Sequence, residues 1–189
     1  GRTSDPGEFS VRYGTVEGKL DQVSEPTTTR ISNDNTGYAI LRNLKPDQTY
    51  HYQIDIKDRP HGLPGSFLTL PNAEYTRNAE HNPKGLFNFR FQIGSCANQN
   101  PIHGNGHRAK TYENLNRDWA HKTNFHIMNG DWLYEELREY PVEAWRLRAG
   151  IDALPPVVNL MPTVVGVWEN YKLYLSRGIS LSQWHRNVP

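Results

Sequence analysis

Asp131 and Tyr134 stand three positions apart in Gly130-Asp131-Trp132-Leu133-Tyr134-Glu135, and an earlier segment, Gly94-Ser95-Cys96, presents the chain's single cysteine. A carboxylate can bridge two cations through its two oxygens, and a phenolate is a hard anionic donor suited to a ferric ion. A thiolate adds a third anionic ligand and is deprotonated by the metal that it binds. Together Cys96, Asp131 and Tyr134 describe an iron-containing polynuclear site. Each has a plainer explanation alone: Asp131 caps a turn, Tyr134 packs against a helix, and Cys96 fills space as most free cysteines do. Taken jointly, a Gly-Ser-Cys and a Gly-Asp-x-x-Tyr at two strand ends fit a metal site better.

Two strands and a helix must position these groups. Phe87, Phe89, Phe91 and Ile93 alternate strictly and run into Gly94, where a strand gives way to a tight turn. Phe125, Ile127 and Met128 mark a second short strand that stops at Asn129-Gly130-Asp131. Between them Tyr112, Leu115 and Trp119 recur at helical spacing, with Ala109 on the same side. Parallel strands joined by a helix place their C-terminal ends on one edge of the sheet, where ligands bind in open α/β folds. Cys96 and Asp131 are therefore expected side by side. Further helices are expected over residues 145–154 and 160–175, the latter with Pro162 early and Trp168, Tyr171 and Leu175 on one face.

The first 70 or so residues read differently, as short strands between turns with no helical period. Phe9, Val11 and Tyr13 alternate with polar neighbours, as do Tyr38 with Ile40 and Tyr50 with Tyr52, Ile54 and Ile56, so each run should bury one face. Leu44-Lys45-Pro46-Asp47-Gln48-Thr49-Tyr50 resembles the turn of fibronectin type III sandwiches in which a tyrosine corner ties turn to strand. Only about five strands can be found where such a sandwich has about seven, so the module is expected to be incomplete. Residues 71–84, with Asn72, Asn78, Asn82 and Pro83 and no sustained period, suit a linker. The expected division is residues 1–84 for the all-β module with its linker and 85–189 for the α/β part.

Composition narrows the function. The 21 Lys and Arg balance the 20 Asp and Glu, which leaves no footprint of a nucleic-acid binder. The greasiest run, residues 160–167, is too short and is broken by Pro162, so no transmembrane segment is expected. One cysteine cannot make an internal disulfide, leaving Cys96 inert, reactive or a ligand. The sequence opens at Gly1 without a Met or a signal-peptide pattern, which suggests a processed or incomplete chain.

Four blocks of the sequence resemble successive blocks of the PhoD-like alkaline phosphatases: the stretch from Phe89 to Cys96, Asn129-Gly130-Asp131-Trp132-Leu133-Tyr134-Glu135, Tyr174-Leu175-Ser176-Arg177-Gly178, and the run from Leu181 to Pro189. The resemblance covers nearly the whole chain. It implies a fibronectin type III-like domain followed by the N-terminal part of an α/β metallophosphatase core. It implies further that Cys96, Asp131 and Tyr134 bind a ferric ion (Fe3+), with Asp131 also reaching calcium (Ca2+), and that phosphate monoesters or diesters are hydrolysed outside the cytoplasm, in the periplasm or beyond the cell. The family continues past the His-Arg-x-Val-Pro block into a Trp-Asp-Asp-His-Glu segment and later His and Asp ligands, and its opening strands precede the position of Phe9. The chain is accordingly expected to be an internal fragment whose partner is the remaining part of the same enzyme, and to be inactive by itself.

Other residues weigh less. His103 and His107 flank Gly104-Asn105-Gly106 and suit a solvated loop better than a metal site. Asn98 could bond a phosphate oxygen or merely a turn carbonyl, His185 and Arg186 could face substrate or end a helix, and Glu135 and Glu136 could be outer carboxylates or ordinary exposed acids. A purple acid phosphatase is the rival enzyme, since it pairs a fibronectin-like domain with Gly-Asp-x-x-Tyr, but it carries Asp where Cys96 stands. A non-catalytic adhesion or matrix protein, with a degenerate α/β remnant, is the rival of another class.

Overall fold

Alternation of Phe9, Val11 and Tyr13 with Glu8, Ser10 and Arg12 is what a half-buried strand requires, and in the computed structural model these residues form β1, Gly7–Gly14. Residues 1–3, 5–59, 61–62, 64–96, 110–131 and 179–189 are described. The chain divides into two compact units, Gly1–Arg90 and Phe91–Pro189.

In the first unit β1 is joined by β2 (Gln22–Val23), β3 (Thr27–Thr29), β4 (Thr49–Ile56) and β5 (Gly65–Leu68) in one antiparallel sheet, ordered β2-β1-β4-β5 with β3 also on β1. Phe9, Val11 and Tyr13 lie opposite Ile56, Ile54 and Tyr52, so all six side chains share a face. Phe9, Val11, Tyr13 and Tyr50 are buried there. The opposite face is polar: Arg12 forms a forked ion pair with Asp55, and Lys57 Nζ lies 3.7 Å from Glu8 Oε1. Irregular chain covers the apolar face. Gly37 lies so close that a Cβ there would meet Thr27 Cγ2 at 2.9 Å and Phe9 Cε1 at 3.0 Å. The Tyr13 hydroxyl holds the same segment by donating to the Arg42 carbonyl at 3.1 Å.

That covering segment corrects the strand expected around Tyr38 and Ile40, which are 77% and 56% exposed and belong to no strand. Side chains satisfy part of its backbone instead of a ladder, for Thr27 Oγ1 donates to the Tyr38 carbonyl at 2.7 Å. The tyrosine corner is present: the Tyr50 hydroxyl accepts from the Lys45 N–H at 2.9 Å, and Thr69 Oγ1 donates to the Lys45 carbonyl at 2.7 Å. Residues 71–84 are more ordered than a linker. Asn72 Oδ1 accepts from Tyr75 N–H at 2.7 Å and caps α1, Ala73–Thr76. Asn78 Oδ1 accepts from the N–H groups of Glu80 and His81, and Asn82 Nδ2 donates to the Thr76 and Leu86 carbonyls. The asparagines that break periodicity are thus the residues that fix the turns.

In the second unit β6 (Phe91–Gly94) pairs in parallel with β7 (Phe125–Met128), and α2 (Lys110–Asp118) lies between them in sequence. The strand is shorter than the alternation suggests, for Phe87 and Phe89 lie before it. A further helix, α3 (Ile179–Asn187), packs with α2 around Tyr112, Leu181, Trp184 and Val188, with Leu115, Ala120 and Met128 against them. Trp119, expected on the packed face of α2, follows that helix and is 49% exposed. The helices cover the sheet face that carries His126 and Met128, while Ile93 and Ile127 are 65% and 41% exposed on the other. Parallel strands normally have both faces covered, and among the described residues one face is. The helices expected over residues 145–154 and 160–175 lie outside the described residues.

The tyrosine corner generates a stability prediction. Tyr50→Phe keeps the ring in its buried place but leaves the Lys45 N–H without its acceptor, so unfolding in urea should show a loss of about 1–2 kcal/mol, with little change in the slope.

Candidate functional site

Both strands run into left-handed turns at the same edge. Gly94 ends β6 and Cys96 has φ 56°, while Gly130 at φ 89° and Asp131 at φ 54° follow β7. The Asn129 N–H donates to the Gly94 carbonyl at 2.7 Å, extending the pairing beyond Met128. Parallel pairing of Gly94 with Met128 sets the two turns level. As a result Cys96 Sγ donates to Asp131 Oδ2 at 3.1 Å, and Ser95 Oγ lies 3.5 Å from the sulfur. Cys96 and Asp131 are both exposed, so the cysteine is not the buried space-filler that its residue type favours.

Among the described non-glycine residues in the left-handed region Cys96 alone is neither Asp nor Asn and so carries the greater strain, whereas Asp131 shares its conformation with Asp34, Asn35, Asn43, Asp47 and Asp58 in turns of the first unit. The separation can be compared with metal coordination. A thiolate and a carboxylate oxygen at ordinary bond lengths from one small cation, subtending about 90–110°, lie about 3.0–3.5 Å apart. The 3.1 Å between Cys96 Sγ and Asp131 Oδ2 falls in that range, and a thiol-to-carboxylate hydrogen bond gives the same distance. Tyr134 lies outside the described residues, as do Asn98, His103, His107, Glu135 and Glu136. Among the described residues no group of three or more His, Cys, Asp or Glu side chains converges on one point.

The covered face of the sheet holds groups that the sequence did not single out. His126, in the second position of β7, points into the helices: its ring lies 5.8 Å from that of Trp184 and 6.2 Å from that of His185, edge-on to both, and 6.4 Å from Tyr112. Burial lowers the His126 pKa, and burial followed by the proximity of His126 lowers that of His185. Burial also pushes the Tyr112 hydroxyl up to about 12. His185 accordingly belongs to the packing of α3 on β7, and Arg186 Nη1 donates to Ser182 Oγ at 3.2 Å on the same helix. The one signal for His126 is that Phe125, Ile127 and Met128 leave it as the polar member of an otherwise apolar strand.

Comparison with known proteins yields a likeness of fold. No family model matches the chain, and no curated protein matches it in sequence. A solved structure of PhoD is similar with a TM-score of 0.65 and 15% identity, over 100% of this chain and 32% of that one. The fold is thus PhoD-like, and the chain spans about a third of the length of the PhoD chain it matches. No helix among the described residues is long and apolar enough to cross a membrane.

The turn before Asp131 can be tested directly. A Cβ on Gly130 would meet nothing within 4 Å, so Gly130→Ala is penalised by its backbone conformation alone. The variant should lose about 1 kcal/mol of stability in thermal or denaturant unfolding, and a gain in stability would show that the turn is unstrained.

Proposed function

We propose that the chain forms the first part of the active site of a metal-dependent phosphoesterase of the PhoD-like kind, hydrolysing phosphate monoesters or diesters. The observation that carries this reading is the 3.1 Å approach of Cys96 Sγ to Asp131 Oδ2 at the shared edge of β6 and β7. In this reading Cys96, Asp131 and Tyr134 would be the anionic donors to Fe3+, and Asp131 would also serve Ca2+. Bound cations would neutralise the phosphate oxygens, activate a water and stabilise the leaving alkoxide. The protein's own part is to hold sulfur and carboxylate at a fixed separation from two short strands, with Ser95 Oγ beside the sulfur.

The remaining assignments follow from the same reading. The first unit is a partial fibronectin type III-like module, supported by its tyrosine corner and one-sided antiparallel sheet. The remaining part of the enzyme is the partner of the second unit, and the exposure of Ile93 and Ile127 on the uncovered sheet face supports more protein packing there. The place of action is the periplasm or the cell exterior. Cys96 just after β6 favours this family over a purple acid phosphatase, and its strained left-handed conformation opposite Asp131 favours an enzyme over a matrix protein with an idle α/β remnant.

The test uses the natural gene product carrying this sequence. Purified protein should contain iron and calcium and should hydrolyse p-nitrophenyl phosphate or its bis ester. Asp131→Asn should lower kcat about a hundredfold or more, several kcal/mol of transition-state stabilisation, and should make the Cys96 thiol more reactive toward a disulfide reagent in the presence of metal. Near-normal turnover in that variant, or activity in protein freed of metal, would sink the assignment.

A further inference from the structure

The contact between His126 on β7 and His185 on α3 is unusual for a packed interface, because two imidazoles meet edge-to-face at 6.2 Å in place of apolar side chains. Neither imidazole nitrogen of His126 has a hydrogen-bond partner among the described residues, although both are enclosed. An enclosed imidazole without a partner is tolerated when neutral and becomes costly when charged, since its proton brings a cation into a poorly solvated place. A second imidazole alongside adds like-charge repulsion once both are protonated.

We propose that His126 and His185 form a proton-sensitive latch that holds α3 on β7 at neutral and alkaline pH and releases it on acidification. This does not depend on the phosphoesterase reading. The groups facing His126 fit the role: the Tyr112 hydroxyl of α2, the Trp184 indole and His185 of α3, and its ladder partner Gln92 on β6. None of these four carries a carboxylate; the charged groups on α2 and the turn after it are Lys110, Glu113, Arg117 with its ion-paired Asp118, His121 and Lys122. Arg186, next to His185, is a further cation on the same helix. The main-chain N–H of His126 donates to the Pro189 main-chain oxygen at 2.7 Å, so the segment after α3 is tied to the same strand residue.

The sign follows from both midpoints lying below the ordinary 6.5. The open state then takes up protons first, so the latch is at full strength above about pH 6.5, weakens as pH falls from there toward the lowered values, and changes little further below them. Because β7 continues into Gly130-Asp131, release of α3 would loosen the strand that aims the carboxylate.

Amide hydrogen exchange across residues 179–189 of the whole chain, corrected for the intrinsic rate, provides the test. Protection should fall about tenfold or more from about pH 7 to about pH 5, as the open state takes up protons that the enclosed imidazoles exclude. The double variant His126→Phe with His185→Phe should keep its protection within about threefold over that range. Unchanged protection in the wild type, or an equal fall in the double variant, overturns the proposal. Should the double variant not fold, imidazole C–H resonances of the wild type decide: midpoints below about 6.5 for both histidines uphold the latch, and an ordinary or raised midpoint for either removes it.

Discussion

Parallel pairing of two four-residue strands is the constraint on which the candidate site depends. Side chains beyond the ends of parallel strands can meet only if the strands finish level and the chain turns the same way after each. The register that puts Gly94 beside Met128 meets the first condition, and left-handed turns at Cys96 and Asp131 meet the second. Slipping the register by one residue would move the two turns about 3.3 Å out of step, as much as the distance between sulfur and carboxylate, and would send every strand side chain to the other face. Such a short pairing cannot hold that register alone. The fixed points come from the covered face, where His126 and Met128 are gripped by Tyr112, Trp184 and their neighbours on two helices.

This arrangement makes α3 a more important element than its distance in sequence from the site suggests. Leu181, Trp184 and Val188 are fully enclosed and supply three of the four buried members of the second unit's core cluster. Without them β7 would have little to pack on, since apolar area removed from water is the main source of stability in so small a layer. The residues from Leu181 to Pro189 therefore have a physical role independent of any ligand: they seat the strand that leads into Asp131. Trp184 also has an enclosed indole nitrogen with no hydrogen-bond partner among the described residues, so this packing costs some unsatisfied polarity.

Much of the local structure was legible where periodicity and burial agree. Phe9, Val11 and Tyr13 alternate and are buried, Tyr50 makes the corner bond its turn motif implies, and the juxtaposition of Cys96 with Asp131 follows from two strand ends joined through a helix. Periodicity failed where it stood alone. Tyr38 and Ile40 alternate as a strand would, but Gly37 lets the chain lie flat on Phe9 and Thr27, and such a close cover has no neighbouring strand with which to pair. Phe91 and Ile93 alternate correctly but their face is half or more exposed, because alternation tells which residues share a face and not which face the rest of the chain covers. Interactions between distant segments, such as His126 with His185, leave no local pattern at all.

The same reasoning separates what the two units contribute. The first unit's sheet has one polar face that carries exposed ion pairs such as Lys57 with Glu8, which add little stability and leave its shape to the buried tyrosines and the irregular cover. That suits a module defined by its outline. The second unit places its polar side chains, Gln92 and His126, on the covered face and its branched apolar ones on the exposed face, the reverse of a sheet that ends at water. A sheet patterned this way is stable only if its helix-covered side accepts polar groups and its other side is partnered, and both requirements are met most simply in a larger α/β layer.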